Sequence, residues 1–388
     1  ADLPDTPDRQ RQELRLQIDL GGQLIITAGN ADPQVERAFA RALLLSEVLA
    51  EPDMLFQARR GLLSYYQVRG RPRVARRFGE EMLQQAEESG DANLLIQAHR
   101  ALGLCLFFIG ELSDAADHLS RALDMCRANG VGGDTVVFIS DPAVLAQCNL
   151  GWVECALGRP DSGLAHCEQA VARARLVRHQ HSLAYALSIA AAVRQMRREP
   201  KQVRLIAEEI LSLAGRGGYT YWRGWAQGLQ GWALAMLGNP RGGLEALDTA
   251  LTEYAATGAE IMRPYFLALK AEVLNRCGAA NEAVTALAAA EADIQTHGMA
   301  FCHGDVVRRR AVLAAGSGDA ATAEALFARA RVIADEQAAG LLRLRIAIDR
   351  AQAFGGDALA DLQALYATLA EGHETADAVE ATTLLKHL

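Results

Sequence analysis

Residues 101–126 read Ala-Leu-Gly-Leu-Cys-Leu-Phe-Phe-Ile-Gly-Glu-Leu-Ser-Asp-Ala-Ala-Asp-His-Leu-Ser-Arg-Ala-Leu-Asp-Met-Cys, and this stretch decides the fold. An apolar run, 101–109, stops at Gly110, and an amphipathic run, 111–126, follows it. Leu102, Gly103, Leu106, Gly110, Ala115, Leu119 and Ala122 fall at helical spacing, so the unit is a helix, a tight turn and a second helix. Two helices can cross closely only where one of them presents little or no side chain, which is what Gly103 and Ala115 supply.

The offsets return along the chain: Gly151, Gly158, Gly163 and Ala170; Gly231, Gly238, Gly243 and Ala250; Ala271, Gly278, Ala283 and Ala290; Ala311, Gly318, Ala323 and Ala330. Turn residues stand at Asn30, Gly70, Gly110, Gly158, Arg198, Gly238, Gly278, Gly318 and Gly355, in steps of 40, 40, 48, 40, 40, 40, 40 and 37. The pattern resembles the tetratricopeptide signature. It implies an all-α, right-handed α-solenoid of about eight to nine helix pairs with a 40-residue period, spanning 1–388 as one repeat domain. A tetratricopeptide unit is usually about 34 residues, so the longer step implies longer helices or connections. An unrelated two-helix solenoid would share the period and differ in curvature. The copy at Arg198 lacks the turn glycine, although Pro200 suits a first helical turn. Residues 376–388 are expected to form a C-terminal capping helix, and self-association is left open.

The 48-residue step places an insertion at 129–142, Asn-Gly-Val-Gly-Gly-Asp-Thr-Val-Val-Phe-Ile-Ser-Asp-Pro. Glycines followed by β-branched residues do not continue a helix, so a loop is expected there, with Asp141 and Pro142 as its candidate functional residues.

Composition excludes several classes. The 388 residues are 51% hydrophobic and 6% aromatic, carry a net charge of −8, and hold just three lysines, Lys201, Lys270 and Lys386. An acidic chain without a basic block is a poor partner for nucleic acid or an anionic membrane. Neither a long uninterrupted apolar run nor a signal-peptide pattern is present, which points to a cytoplasmic protein. The seven cysteines, Cys105, Cys126, Cys148, Cys155, Cys167, Cys277 and Cys302, lie inside helical stretches and never in a C-x-x-C spacing, as expected of buried thiols.

Residues 3–9, Leu-Pro-Asp-Thr-Pro-Asp-Arg, and 31–42, Ala-Asp-Pro-Gln-Val-Glu-Arg-Ala-Phe-Ala-Arg-Ala, open the chain. With Ser140-Asp141-Pro142, Gly-Trp-Ala-Leu-Ala-Met-Leu-Gly at 231–238 and Thr-Gly-Ala-Glu-Ile-Met-Arg-Pro-Tyr-Phe-Leu-Ala-Leu at 257–269, these stretches resemble the repeat region of bacterial signal-transduction ATPases of the STAND type. The resemblance implies a C-terminal sensor arm behind an ATPase module, itself linked to a nucleotide cyclase or a winged-helix DNA-binding domain. It also implies that those N-terminal domains are partners. The chain starts without methionine and carries no G-x-x-x-x-G-K-[ST] loop, so an excised region is expected.

In such a superhelix the first helix of each pair faces inward. Counting back from each turn puts Trp152, Tyr185, Trp225, Trp232 and Tyr265 on that face, flanked by Gln57, Arg60, Gln67, Gln97, Arg100, Phe107, Gln195, Glu272, Asn275, Asp305 and Arg308. An aromatic floor with arginine at its ends suits a peptide, a protein or a small acidic ligand. The bland alternative is that these aromatics pack unit against unit.

Catalytic signatures are missing: there is no G-x-S-x-G elbow, no H-E-x-x-H and no glycine-rich phosphate turn. His179 with His181, and His297 with Cys302 and His303, fall in connections, where solvated histidines are expected, and neither set is assigned a metal. No cofactor is assigned. The chain is therefore read as a non-enzymatic ligand- or protein-binding sensor, the rival being a constitutive interaction scaffold or chaperone-like adaptor that uses the same groove.

Overall fold

Proline and glycine mark the boundaries of nearly every helix. In the computed structural model, which describes residues 6–129, 140–217 and 220–386, nine of the ten prolines stand in the first turn of a helix, where a missing N–H costs nothing. The described residues form nineteen α-helices and one 3-10 turn, with no strand.

The helices pair in chain order: α1 (Pro7–Thr27) with α2 (Pro33–Leu49), α3 (Pro52–Val68) with α4 (Pro72–Ser89), α5 (Ala92–Ile109) with α6 (Leu112–Ala128), α7 (Pro142–Ala156) with α8 (Pro160–Leu176), and α9 (Gln180–Met196) with α10 (Pro200–Gly217). Then follow α11 (Thr220–Met236) with α12 (Pro240–Ala256), α13 (Arg263–Arg276) with α14 (Ala280–His297), α15 (His303–Gly316) with α16 (Ala320–Glu336), and α17 (Gly340–Phe354) with α18 (Asp357–Tyr366). The 3-10 turn Ala300–Cys302 precedes α15, and α19 (Ala376–Leu385) packs on α17 and α18 as the terminal cap. The architecture is an α-solenoid of nine tetratricopeptide-like pairs. Most helices from α2 to α12 run 17 or 18 residues, which accounts for the 40-residue step. Of the 129–142 insertion, residues 130–139 lie outside those described.

The crossings are tight. A Cβ added to Gly151 of α7 would lie 2.5 Å from the Gly163 carbonyl oxygen of α8, and one added to Gly163 would lie 2.5 Å from the Gly151 carbonyl oxygen. Most pair turns end on a residue of positive φ, usually glycine, as at Gly110 (93°) and Gly238 (99°). At the glycine-less turn it is Arg198 that takes φ 60°, a conformation costing a side-chain-bearing residue about 1–2 kcal/mol.

Small residues also let the superhelix close on itself. Arg69 donates to the Gly258 carbonyl, 189 residues on, at 2.8 Å, and the Glu260 and Ile261 amides donate to the Val68 carbonyl at 2.9 and 3.2 Å. Further along the same seam Gly340 lies directly on the Leu157–Gly158 backbone. Glu371 accepts from the Asp161 and Ser162 amides at 2.8 and 3.0 Å, and Asp161 accepts from the Gly372 amide at 2.9 Å. A contact 189 residues away, just under five 40-residue units, means that each superhelical turn rests on the one before it. The first helices of the pairs are thereby enclosed.

That enclosure explains α5. Its 18 residues are apolar and long enough to cross a bilayer, yet 67% of the stretch is buried inside the protein, so it is a core helix.

Candidate functional site

The enclosed faces of α1, α3, α5, α7, α9 and α11 surround a cavity of about 470 Å³, within the usual range of small-ligand sites. Arg60, Ser64 and Gln67 reach it from α3, Gln97, Arg100, Leu104 and Phe108 from α5, and Pro142, Leu145 and Trp152 from α7. Tyr185 and Ile189 of α9 and Tyr221, Trp222 and Trp225 of α11 complete the apolar wall. The spacing of Arg60 and Ser64, and of Gln97, Arg100 and Leu104, is one helical face each.

Among the described residues no aspartate or glutamate lines this cavity. Arg60 donates to the Gln97 amide oxygen at 2.6 Å. Burial, together with the like charge of Arg100, pushes its pKa down to about 9. Arg100 makes no hydrogen bond or ion pair with the described residues, and burial lowers its pKa as well; the groups that counter this are Tyr185 and three cysteines rather than a carboxylate.

A polar rim lies at the α7 and α9 starts. Ser140 Oγ and His181 Nδ1 are 2.9 Å apart, and His179 Nδ1 lies 2.8 Å from Ser182 Oγ while accepting from the Ser182 amide at 3.2 Å. Burial, with the neighbouring His179, pushes His181 down to about 4, so the ring is neutral at physiological pH. Both histidines line the cavity instead of sitting solvated in a connection, which corrects the sequence expectation. Asp141 caps α7 through the Ala143 and Val144 amides at 2.8 and 3.1 Å and pairs with Arg173 at 3.0 Å. Pro142 faces the cavity, Asp141 does not line it.

The other residues expected in the groove are placed differently. Phe107 stacks into an aromatic cluster, 4.5 Å from Trp152 and 5.4 Å from Phe301, the latter supplied by the 3-10 turn. Trp152 in turn lies 5.7 Å from Trp225. Phe107, Trp152 and Trp225 are all buried, and of the three Trp152 and Trp225 also line the cavity. Tyr265 donates to Gln195 at 2.8 Å, and Tyr185 to Asn149 at 2.7 Å.

Trp232 and Arg308 line a second, smaller cavity of about 280 Å³ together with Glu272, Arg309, Arg345, Asp349 and Asp377. Its charges neutralise one another. Asp305 accepts from Arg308 and Arg309 at 2.8 and 2.7 Å, Arg308 also pairs with Asp349, and Glu272 accepts from Arg309 at 2.8 Å and from Trp232 Nε1 at 3.1 Å. Burial opposes the Asp305 charge, but Arg308 and Arg309 outweigh it and hold the carboxyl far below the usual range. The two cavities thus differ in kind: carboxylates line the second, and none among the described residues lines the first.

His297 and His303 go separate ways, toward Glu260 at 3.5 Å and Glu291 at 3.8 Å. Six of the cysteines are buried and Cys277 is exposed; burial pushes thiols such as Cys126 up to about 11 and Cys105 to about 12. Ser64, Ser140, Trp222 and both cavity histidines were missed from sequence; the one available signal was the i, i+4 step from Arg60 to Ser64.

No protein-family model matches the chain, and no curated protein matches it. Solved structures do. A Rap protein complexed with Competence and Sporulation Factor is similar at a TM-score of 0.65, with 13% identity over 97% of this chain and 99% of that one. NprR in complex with its cognate peptide NprX gives 0.62, with 10% identity over 93% and 98%. The Rap conjugation gene regulator of the plasmid pLS20, in complex with a Phr peptide, gives 0.54, with 13% identity over 92% and 100%. At these identities the likeness is one of fold, and the fold is that of a tetratricopeptide-type helical repeat.

Proposed function

We propose that this chain is a regulatory module that binds a ligand inside its superhelix, in the cavity between α3, α5, α7, α9 and α11. The observation that carries the reading is the aromatic-walled cavity whose formal charges, among the described residues, are those of arginines. Natural selection for stability alone would fill such a space with apolar side chains, since a buried cation without a partner is costly. That the Rap and NprR structures with the same fold were solved with peptides or factors bound supports a peptide or other small acidic ligand here.

The seam gives binding a readout. A ligand touching five first helices is held by both superhelical turns, so its occupancy changes how firmly one turn rests on the next. The resemblance to signal-transduction ATPases supports the further reading that this module is the sensor arm of such an enzyme, its seam acting on an attached ATPase and an output domain.

Ser64 offers the test, because it faces the cavity from a helix that packs through other residues. Thermal melting of the protein with low-molecular-weight fractions of host extract should rise for wild type and stay flat for Ser64→Phe, whose ring occupies the cavity. Equal stabilisation of both proteins would sink the cavity as the ligand site, and stabilisation by macromolecular fractions alone would favour the scaffold.

A further inference from the structure

Two arginines of the second cavity find their carboxylates only on the last helix. Among the described residues Arg198 pairs with Asp377 at 3.1 Å and with Glu380, Arg345 pairs with Asp377 at 3.0 Å, and neither meets another acid. Arg308 and Arg309, by contrast, have Asp305, Asp349 and Glu272, none of them on α19. Take away Asp377 and Glu380, and the described residues lining this cavity hold five arginines against two carboxylates, Glu272 and Asp349.

Charge fastens α19 more than apolar packing does. Its buried side chains are Asp377, Ala378 and Ala381, Leu384 and Leu385 are partly buried, and Val379 is 56% exposed. Two alanines remove little apolar area from water, so the ion pairs and the Gln352 hydrogen bond to Glu380, at 2.7 Å, supply much of the hold. The segment just before the helix is tied down separately: Glu371 accepts from the Asp161 and Ser162 amides, and the Gly372 amide donates to Asp161. The result is a strap, anchored at 371–372 and ending in a helix that bears the charges.

We propose that α19 is a displaceable strap, and that the surface it covers around Arg198 and Arg345 is a docking site for an acidic helix of a partner protein.

The helix now in place defines the chemistry of that partner. Asp377-Ala378-Val379-Glu380-Ala381 sets two carboxylates three residues apart and follows each with alanine. Residues i and i+3 share one helical face, so both carboxylates reach the arginines while the small side chains let the helix lie close. Arg198 supports a site kept for binding. It holds a left-handed turn at φ 60°, where glycine would form the same turn without strain but leave the site without its guanidinium. This surface is separate from the cavity between α3 and α11, and its role does not depend on what that cavity holds.

The chain's own sequence supplies the probe, a fluorescein-labelled peptide of residues 374–386, titrated by anisotropy against the 388-residue chain. In wild type the tethered α19 competes with the peptide; in the double variant Asp377→Asn, Glu380→Gln that competition is weakened. The variant should therefore bind the peptide about tenfold or more tightly than wild type. A peptide carrying the same two substitutions should bind neither protein, and adding Arg345→Met to the variant should abolish binding. Equal affinity of the two proteins for the peptide, or of the two peptides for the variant, overturns the proposal.

Hydrogen exchange on wild type decides the matter even where the variant fails to fold. Amides of α19 should exchange at least about a hundredfold faster than those of α17, through opening of the strap alone. A single common rate for both helices would make α19 an integral part of the fold and overturn the docking site. A concentration-dependent dimer that loses peptide binding would name the α19 of a second copy as the occupant, and overturns the partner-protein assignment as well.

Discussion

The Arg198 guanidinium donates to the Asp377 carboxylate across 3.1 Å, joining the one pair turn that lacks glycine to the start of the terminal helix 179 residues later. Asp377 is almost fully buried and also accepts from Arg345 at 3.0 Å, and Arg198 pairs with Glu380 as well. Burial works against the Asp377 charge, yet Arg345 and Arg198 prevail and hold its carboxyl low. An arginine tolerates the left-handed turn here because the turn aims its side chain across the seam.

Asp377→Ala should therefore destabilise the fold strongly, by about 3–5 kcal/mol, since it leaves two arginines without their buried partner. Hydrogen exchange would show the loss first in α19 and in the 196–200 turn. Protection unchanged in both segments would mean that the seam contributes nothing at this point.

Arg198→Gly separates two effects. The glycine relieves about 1–2 kcal/mol of backbone strain and gives up the ion pairs, so the α9–α10 turn should hold while α19 frays. A variant as resistant to proteolysis at α19 as wild type would contradict the role given to Arg198.

Gly151→Ala and Gly278→Ala form a second comparison. At Gly151 a methyl group would sit 2.5 Å from the Gly163 carbonyl oxygen, whereas at Gly278 nothing lies within 4 Å and φ 78° is the sole obstacle. Gly151→Ala should cost about 1–3 kcal/mol or more through forced separation of α7 and α8, and Gly278→Ala about 1 kcal/mol. Urea denaturation of both variants checks the order, and a reversed order would show that the crossing relaxes freely.

Acid should weaken the protein before its carboxylates titrate. Burial, aided by neighbouring positive charge, pushes both His99 and His181 from 6.5 to about 4 in the folded state. The unfolded chain takes up those protons below 6.5 and the folded chain does so only near 4, so stability is complete above pH 6.5 and falls as pH drops toward 4, by on the order of 2 kcal/mol for each histidine. Carboxylates held low, such as Asp305, lose their contribution only below about 3.8. The melting temperature should decline between pH 6.5 and 4, and the double variant His99→Gln, His181→Gln should flatten that slope.

The helix pairs were legible because what defines them is local. Gly103 and Ala115, or Gly151 and Gly163, lie a dozen residues apart and announce a crossing wherever they recur, and the inward face of each first helix follows from the same count. Arg60, Gln97, Arg100, Trp152, Tyr185 and Trp225 reached one cavity for that reason. What periodicity does not carry is pairing over 180 residues or more. Arg69 reaches the Gly258 carbonyl 189 residues on, a contact no count along the chain foretells. Likewise His179 and His181 fall in a connection by count, and the structure sets them at the cavity, His181 against Ser140 and Trp222.

Native mass spectrometry of the protein purified from its own host tests the central claim most directly. A small mass released on denaturation, present on wild type, reduced on Arg100→Met and missing from Ser64→Phe, is the result expected of a ligand housed between Arg60 and Arg100. A co-purifying ligand retained in full by Ser64→Phe would contradict it, placing the binding site outside this cavity.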